Sequence, residues 1–330
     1  MKHFGIIGWG YWGRNYAKYI NPTIGATLDF VCDLRDEMLV DAKTLYPHFQ
    51  VTKDFNDLIK NKLDGVIIAT PASLHYRVAK PLLEAGMNVL IEKPVTNNVD
   101  QAIELQEIAQ KNNAKILVGH TFLYNQSVMW LKQKIDEGYF GKVYHIECKR
   151  QSYGPIRDDV NIIWDFAPHD IAIANYWLGS MPQSVSVQAG TFSRHDKEDI
   201  AIITLRYPNN VMVSISVAWL YPIKIRTVTL LGDQKMAVFE DTDQQNPVKV
   251  YDTAITYPSE SDKYGAAFRV GDMIVPRIAQ GDPLLHEIKQ FIAYIDGKNV
   301  PVSPIENGIE VVRVLEAIDT AMKTKTEVTL

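Results

Sequence analysis

The sequence predicts a doubly wound parallel α/β domain over residues 1–120, followed over residues 121–330 by an α+β domain with a large, mostly antiparallel open sheet. Three observations carry this. Gly8-Trp9-Gly10-Tyr11-Trp12-Gly13 stands between an apolar run (Phe4, Ile6, Ile7) and a helix expected from about Tyr11. Short β-branched runs then alternate with helix-period stretches as far as residue 120, the rhythm of a parallel sheet with right-handed crossovers. Past that point apolar residues recur at every second position, the pattern of antiparallel strands.

In the first turn, Gly8 suits a tight bend, Gly10 lets backbone approach a pyrophosphate, and Gly13 lets the helix sit close on the sheet. A diphosphate then meets free N–H groups at a helix N-terminus, where the dipole also favours anions. Three glycines alone would make only a turn. Here a second apolar run (Leu28, Phe30, Val31, Cys32) ends in Asp33, twenty residues after Gly13, where a carboxylate accepts hydrogen bonds from an adenosine ribose. That context makes the first domain a Rossmann dinucleotide-binding domain.

The elements follow in order. A helix-prone stretch covers Arg35 to Leu45, and Val51 with Asp54, Leu58 and Ile59 reads as a short strand and helix. Asp64 to Ala69 is a strand buried on both faces, ending in Thr70-Pro71. Leu74 to Glu84 is helical and closed by Gly86; Asn88 to Ile91 is a strand ended by Glu92-Lys93-Pro94. Asp100 to Gln110 is helical, and Ala114 to Gly119 is the next strand. Ligands bind at the carboxyl ends of strands in such sheets, so Gly8, Asp33, Thr70, Lys93 and His120 are expected on one rim. The second domain opens with a helix over Asn125 to Glu137, a strand over Lys142 to Cys148, and a helix over Trp164 to Leu178 stopped by Gly179. Strands follow at Val185–Ala189, Ile200–Leu205, Val211–Val217, Ile225–Leu230 and Ala237–Phe239. Tyr257 to Gln280 shows no regular period, and two helices, about Pro283–Ile295 and Ile309–Met322, close the chain.

A formal net charge of −5, from 34 basic and 39 acidic residues interspersed along 330, gives no electrostatic footprint for nucleic acid. No apolar run approaches the length that spans a bilayer, and a strand that begins within a few residues of Met1 leaves no room for a secretory signal. A cytoplasmic protein without a membrane partner is expected. Cys32 and Cys148 read as small buried hydrophobes, and no spacing resembles a zinc site.

Lys93 follows a buried strand and precedes a proline, which restricts it to extended backbone and so aims its amine. His169 lies in Trp164-Asp165-Phe166-Ala167-Pro168-His169-Asp170. Proline is tolerated in the first turn of a helix, so Pro168 places the helix start near Asp165, with Asp165 and His169 four apart on one side. A carboxylate there orients an imidazole that exchanges a proton near neutral pH, or simply caps the helix. His75, at a helix start on the rim, is a candidate cofactor contact, whereas His3, His48, His195 and His286 have no partner pattern.

The glycine turn, Ala69-Thr70-Pro71 with His75, Glu92-Lys93-Pro94 and Asp165-x-x-x-His169 together resemble the glucose–fructose oxidoreductase/inositol dehydrogenase/MocA (Gfo/Idh/MocA) family. Gly119-His120-Thr121-Phe122-Leu123-Tyr124-Asn125 and the Trp164–Asp170 run resemble members acting on nucleotide-activated sugars, including UDP-N-acetylglucosamine 3-dehydrogenases. The resemblance implies an NAD(P) cofactor and hydride transfer at a pyranose carbinol, with Lys93 and His169 handling the proton and Asp165 beside them. It implies cofactor contacts from Gly8, Gly10, Tyr11, Trp12, Gly13, Asp33, Arg35, Thr70, Pro71, His75, Glu92, Lys93 and His120. Substrate contacts are implied for Lys93, Tyr124, Arg150, Asn161, Trp164, Asp165 and His169. The usual small or glycine-rich lead-in to the Asp-x-x-x-His motif is here Asn161-Ile162-Ile163-Trp164, which leaves the substrate open.

Three readings compete: a sugar, inositol or sugar-nucleotide dehydrogenase, a glycosidase that oxidises its substrate transiently through NAD, and an NAD-binding regulator without activity. Retention of Lys93, Asp165 and His169 disfavours the last. Asp33 favours NAD, although Arg35 leaves NADP possible. In the Val211 run the face of Met212, Ser214, Ser216 and Ala218 is small and mildly polar, and an open face of that kind is expected to join a homodimer or homotetramer.

Overall fold

The computed structural model describes the chain except for residues 21–24, 62, 194–195 and 257–266. Two compact units divide it, residues 1–124 with 281–313 and residues 125–280 with 314–330. Of the sequence expectations, His195 and the first part of the Tyr257–Gln280 stretch lie outside the described residues.

In the first unit, strands β1 (Lys2–Ile7), β2 (Ala26–Cys32), β3 (Gln50–Thr52), β4 (Gly65–Ile68), β5 (Asn88–Glu92) and β6 (Ile116–Gly119) alternate with helices α1 (Tyr11–Ile20), α2 (Asp36–Leu45), α3 (Asn56–Lys60), α4 (Ala72–Glu84) and α5 (Val99–Lys111). The strands pair in parallel in the order β3-β2-β1-β4-β5-β6. Helices on both faces explain why Val66, Ile67, Ile68, Val89, Leu90 and Ile91 are all buried rather than alternating. The order reverses between β1 and its two neighbours, β2 and β4. At that switch point the carboxyl ends of adjacent strands diverge and leave a crevice.

The second unit holds α6 (Gln126–Asp136), β7 (Val143–Tyr153), α7 (Ile162–Leu178), β8 (Ser184–Gly190), β9 (Ile200–Tyr207), β10 (Val211–Ala218), β11 (Leu220–Gly232), β12 (Met236–Glu240), β13 (Val248–Thr256) and β14 (Ala267–Ile274). Helices α8 (Pro283–Ile295) and α9 (Ile305–Thr324) and the short β15 (Val328–Thr329) end the chain. The sheet runs β14-β13-β12-β11-β7-β10-β9-β8-β15. It is mixed, because β7 and β10 pair in parallel while the remaining neighbours are antiparallel. On β10 the face of Val211, Val213, Ile215 and Val217 is buried, with α7 packed against the strand, while Met212, Ser214 and Ser216 lie on the opposite, more open face. There His145 pairs with Ser214 and Gln151 with Ser216, each at 2.9 Å.

Two expectations need correction. Residues 281–313 belong to the first unit and not, as 121–330 implied, to the second. The physical reason is in α8: Leu284, Ile288 and Phe291 join the core of Phe4, Ile6, Trp9 and Tyr16, with the Phe4 and Phe291 rings 5.8 Å apart. In the second unit, α7 starts at Ile162 and not near Asp165. Asn161 caps it, its side chain accepting the Trp164 N–H at 3.0 Å, and Pro168 sits two turns in.

Candidate active site

In the first unit the glycine turn is fixed by backbone. Gly8 has φ +99°, and a Cβ there would come within 2.6 Å of the Ala69 carbonyl oxygen. A Cβ on Gly13 would lie 2.0 Å from the Gly8 oxygen, so only hydrogen lets α1 start this close to β1. Gly10 differs: a Cβ there would meet no protein atom within 4 Å. Its free side is a cradle that a methyl group would fill, as backbone reserved for a phosphate requires. Trp9 between them is fully buried; its indole donates to Asp41 Oδ2 at 2.7 Å and meets Tyr46 and Phe49 edge-on. Tyr11 and Trp12, at the head of α1, remain exposed.

Asp33, just past β2, accepts the Trp9 backbone N–H at 2.9 Å through Oδ2 and the Arg35 backbone N–H at 3.0 Å through Oδ1. The Arg35 guanidinium adds Nε to Oδ1 and Nη2 to Oδ2, both at 3.0 Å. Burial raises the Asp33 pKa, but these bonds outweigh it and leave the carboxyl below its ordinary value. A carboxylate thus stands beside the glycine turn, with an exposed cation lying on it.

The ends of β4, β5 and β6 complete this rim. His75 is buried, with Nδ1 2.8 Å from the Pro94 oxygen and Nε2 2.9 Å from the Thr70 oxygen. Burial holds its pKa below the ordinary value against both carbonyls. The geometry therefore corrects the direct cofactor contact expected of His75: both ring nitrogens are turned to backbone, and the ring ties the Thr70-Pro71 turn to the Lys93-Pro94 turn. Glu92 is buried and takes the Tyr16 hydroxyl at 2.9 Å; Lys93 is half-buried, and its N–H donates to Glu92 Oε2 at 3.2 Å. Thr70 Oγ1 and both ring nitrogens of His120 are buried without a hydrogen-bond partner among the described residues. Burial, with the Lys93 ammonium acting in the same direction, lowers the His120 pKa to about 3, so the ring is neutral. Unpaired polar atoms on a rim fit a bound polar group such as a dinucleotide. Tyr124, implied as a substrate contact, is fully buried, and its hydroxyl pairs with Ser303 Oγ at 2.8 Å.

In the second unit, Asp165 and His169 are one turn apart on α7. Asp165 Oδ1 takes Arg157 Nη1 and Oδ2 takes the Trp219 indole, both at 3.2 Å, so the carboxylate is held from two sides. Neither partner was singled out from the sequence; Trp219 lies 54 residues away, beyond any local pattern. Three residues expected on substrate are engaged within the unit. Arg150 and Asp170 form a buried two-pronged pair, Nη2 to Oδ1 at 2.8 Å and Nε to Oδ2 at 3.2 Å, that fastens α7 to β7. Asn161 caps α7 and donates to Glu198 Oε2 at 2.8 Å, and the Trp164 indole lies 3.0 Å from Asp319 Oδ2. All three set the helix that carries Asp165 and His169.

Residues 2–120 match an oxidoreductase family with an NAD-binding Rossmann fold, and residues 128–238 match the GFO/IDH/MocA C-terminal domain. The chain belongs to the GFO/IDH/MocA family. One family relative, the UDP-N-acetylglucosamine 3-dehydrogenase of Acidithiobacillus ferrooxidans, is 27% identical over 215 residues, 64% of this chain and 65% of that protein. This chain thus spans less than two thirds of that relative's length. The myo-inositol 2-dehydrogenase of Thermotoga maritima is 22% identical over 315 residues, 92% and 91% of the two chains. The fold is shared with the WlbA dehydrogenase from Bordetella pertussis in complex with NADH and UDP-GlcNAcA, at TM-score 0.82 and 19% identity over 100% of this chain and 97% of that one.

Proposed function

We propose that this chain is a nicotinamide-dependent oxidoreductase that moves a hydride between NAD and a ring hydroxyl or ketone of a sugar, with a nucleotide sugar as substrate. The observation that carries it is the cradle beside Asp33: two glycines fixed by contact with backbone, and one open. Gly8, Gly10, Gly13 and Asp33 would hold the dinucleotide, and Thr70 and His120 offer it further polar atoms. When bound, the nicotinamide ring accepts or gives up the hydride. The sugar is inferred from the activities of the relatives, UDP-N-acetylglucosamine 3-dehydrogenase among them. A free polyol is the second reading, favoured by the inositol dehydrogenase that matches 92% of the chain.

In the oxidation direction the substrate oxygen must lose its proton as hydride leaves. His169 takes that proton as a positioned base, and the Lys93 ammonium stabilises the developing alkoxide. Asp165, held by Arg157 and Trp219, keeps the charge beside His169 fixed. We further propose a cytoplasmic protein, for which two buried free cysteines are suited, and a homodimer or homotetramer built through the open sheet face of Ile202, Met212 and Ser214. A monomer in light scattering at micromolar concentration would count against that assembly. The activity itself is tested by following nicotinamide absorbance with NAD and a panel of nucleotide sugars, free sugars and inositols. Bond cleavage without net NADH would favour transient oxidation instead, and no response to any member would sink the proposal.

A further inference from the structure

Tyr16 of α1, Glu92 at the end of β5 and Glu287 of α8 meet in the interior of the first unit, all three buried. The Tyr16 hydroxyl oxygen is 2.9 Å from Glu92 Oε1 and 2.9 Å from Glu287 Oε1. A phenol carries one hydrogen and donates to one carboxylate. The second oxygen-to-oxygen contact needs a hydrogen of its own, and a proton on one of the two carboxyl groups supplies it. The cluster then carries a single negative charge instead of two.

The remaining oxygens identify the protonated member. Glu92 Oε2 accepts the Lys93 N–H at 3.2 Å, so both oxygens of Glu92 act as acceptors, as in an ionised carboxylate. Glu287 Oε2 is buried with no hydrogen-bond partner among the described residues. A neutral carbonyl oxygen is tolerated there at far lower cost than a bare charged one. We infer that Glu287 is a protonated acid that donates to Tyr16, which donates to Glu92, and that this chain is a positioning device holding the Glu92-Lys93 turn over a fixed, singly charged support.

Tyr16 faces Glu287 from α1, Glu92 from β5, and Thr121 and Tyr124 from the turn after β6. Burial, then the charge of Glu92, raises the Glu287 pKa from 4.5 to about 8, with Thr121 and Tyr16 acting in the opposite direction. The functional consequence rests on the proposed role of Lys93, but the proton count rests on the three oxygens alone. Because the folded protein binds this proton more tightly, its contribution to stability is complete below 4.5, declines as pH rises, and is lost as pH passes about 8.

The test uses the full chain without substrate. With isotope-labelled glutamate, infrared spectra should show an un-ionised carboxylic acid at neutral pH that disappears with a midpoint near pH 8, and the Lys93 amide resonance should titrate with the same midpoint. Glu287→Gln should abolish the band and the amide titration. The melting temperature of the wild type should fall relative to that variant between about pH 5 and about pH 8. Tyr16→Phe should keep the band at a shifted frequency, which tests the chain even if Glu287→Gln does not fold. Absence of the band in the wild type, its survival in Glu287→Gln, an unshifted band in Tyr16→Phe, or a Lys93 amide indifferent to the midpoint would overturn the inference. None of these readouts depends on enzymatic turnover, so a failed activity screen leaves them interpretable.

Discussion

The Arg35 guanidinium grips the Asp33 carboxylate with two prongs, Nε 3.0 Å from Oδ1 and Nη2 3.0 Å from Oδ2, while the Trp9 amide also donates to Oδ2. Asp33 is thus buried and aimed, and the cation on it is half exposed. NADH should bind more tightly than NADPH, because a 2′-phosphate would have to approach the carboxylate. Asp33→Ala removes charge-assisted bonds worth about 1.5–3 kcal/mol and should weaken NADH by roughly ten- to a hundredfold. Arg35→Ala should leave NADH binding nearly intact and weaken NADPH further. Dissociation constants for both dinucleotides check this, and a clear NADPH preference in the wild type would refute it.

Gly10 and Gly13 should part company on substitution. Gly13→Ala drives a methyl into the Gly8 oxygen and should lower stability and NADH affinity together. Gly10→Ala meets no protein atom, so its melting temperature should match the wild type while NADH affinity falls. If Gly10→Ala binds NADH normally, the cradle is not where the phosphates rest.

Arg150 and Asp170 are both buried, next in sequence to His169 on the Asp170 side. Removing either leaves an uncompensated buried charge, so Arg150→Ala should lose about 3–5 kcal/mol in denaturant unfolding. A variant of unchanged stability with a raised KM would instead return Arg150 to the substrate.

The glycine turn, Asp33 and the βα rhythm were legible because each depends on residues close in sequence and on a period imposed by burial. Pairings made by the fold were not. Arg150 looked available until Asp170 was brought onto it from the neighbouring helix, and Tyr124 finds Ser303 179 residues away. Pro168 misled in a different way, since the start of α7 is set by the Asn161 cap and the helix simply runs through the proline. Strand β14 escaped notice because Phe268, Val270, Met273 and Ile274 are all exposed, so no buried face imposes alternation on it.

The role proposed for Lys93 lies in hydride transfer from a sugar carbinol and not in the folding of the chain. The direct measurement is single-turnover NAD reduction by wild type and Lys93→Ala with the substrate found in the nucleotide-sugar panel, alongside NADH affinity and melting temperature for both. Lys93→Ala should lose at least about two orders of magnitude in rate while still binding NADH through Gly8, Gly10, Gly13 and Asp33 and melting with the wild type. Near-normal turnover in Lys93→Ala would rule that role out, as would a rate loss fully explained by unfolding.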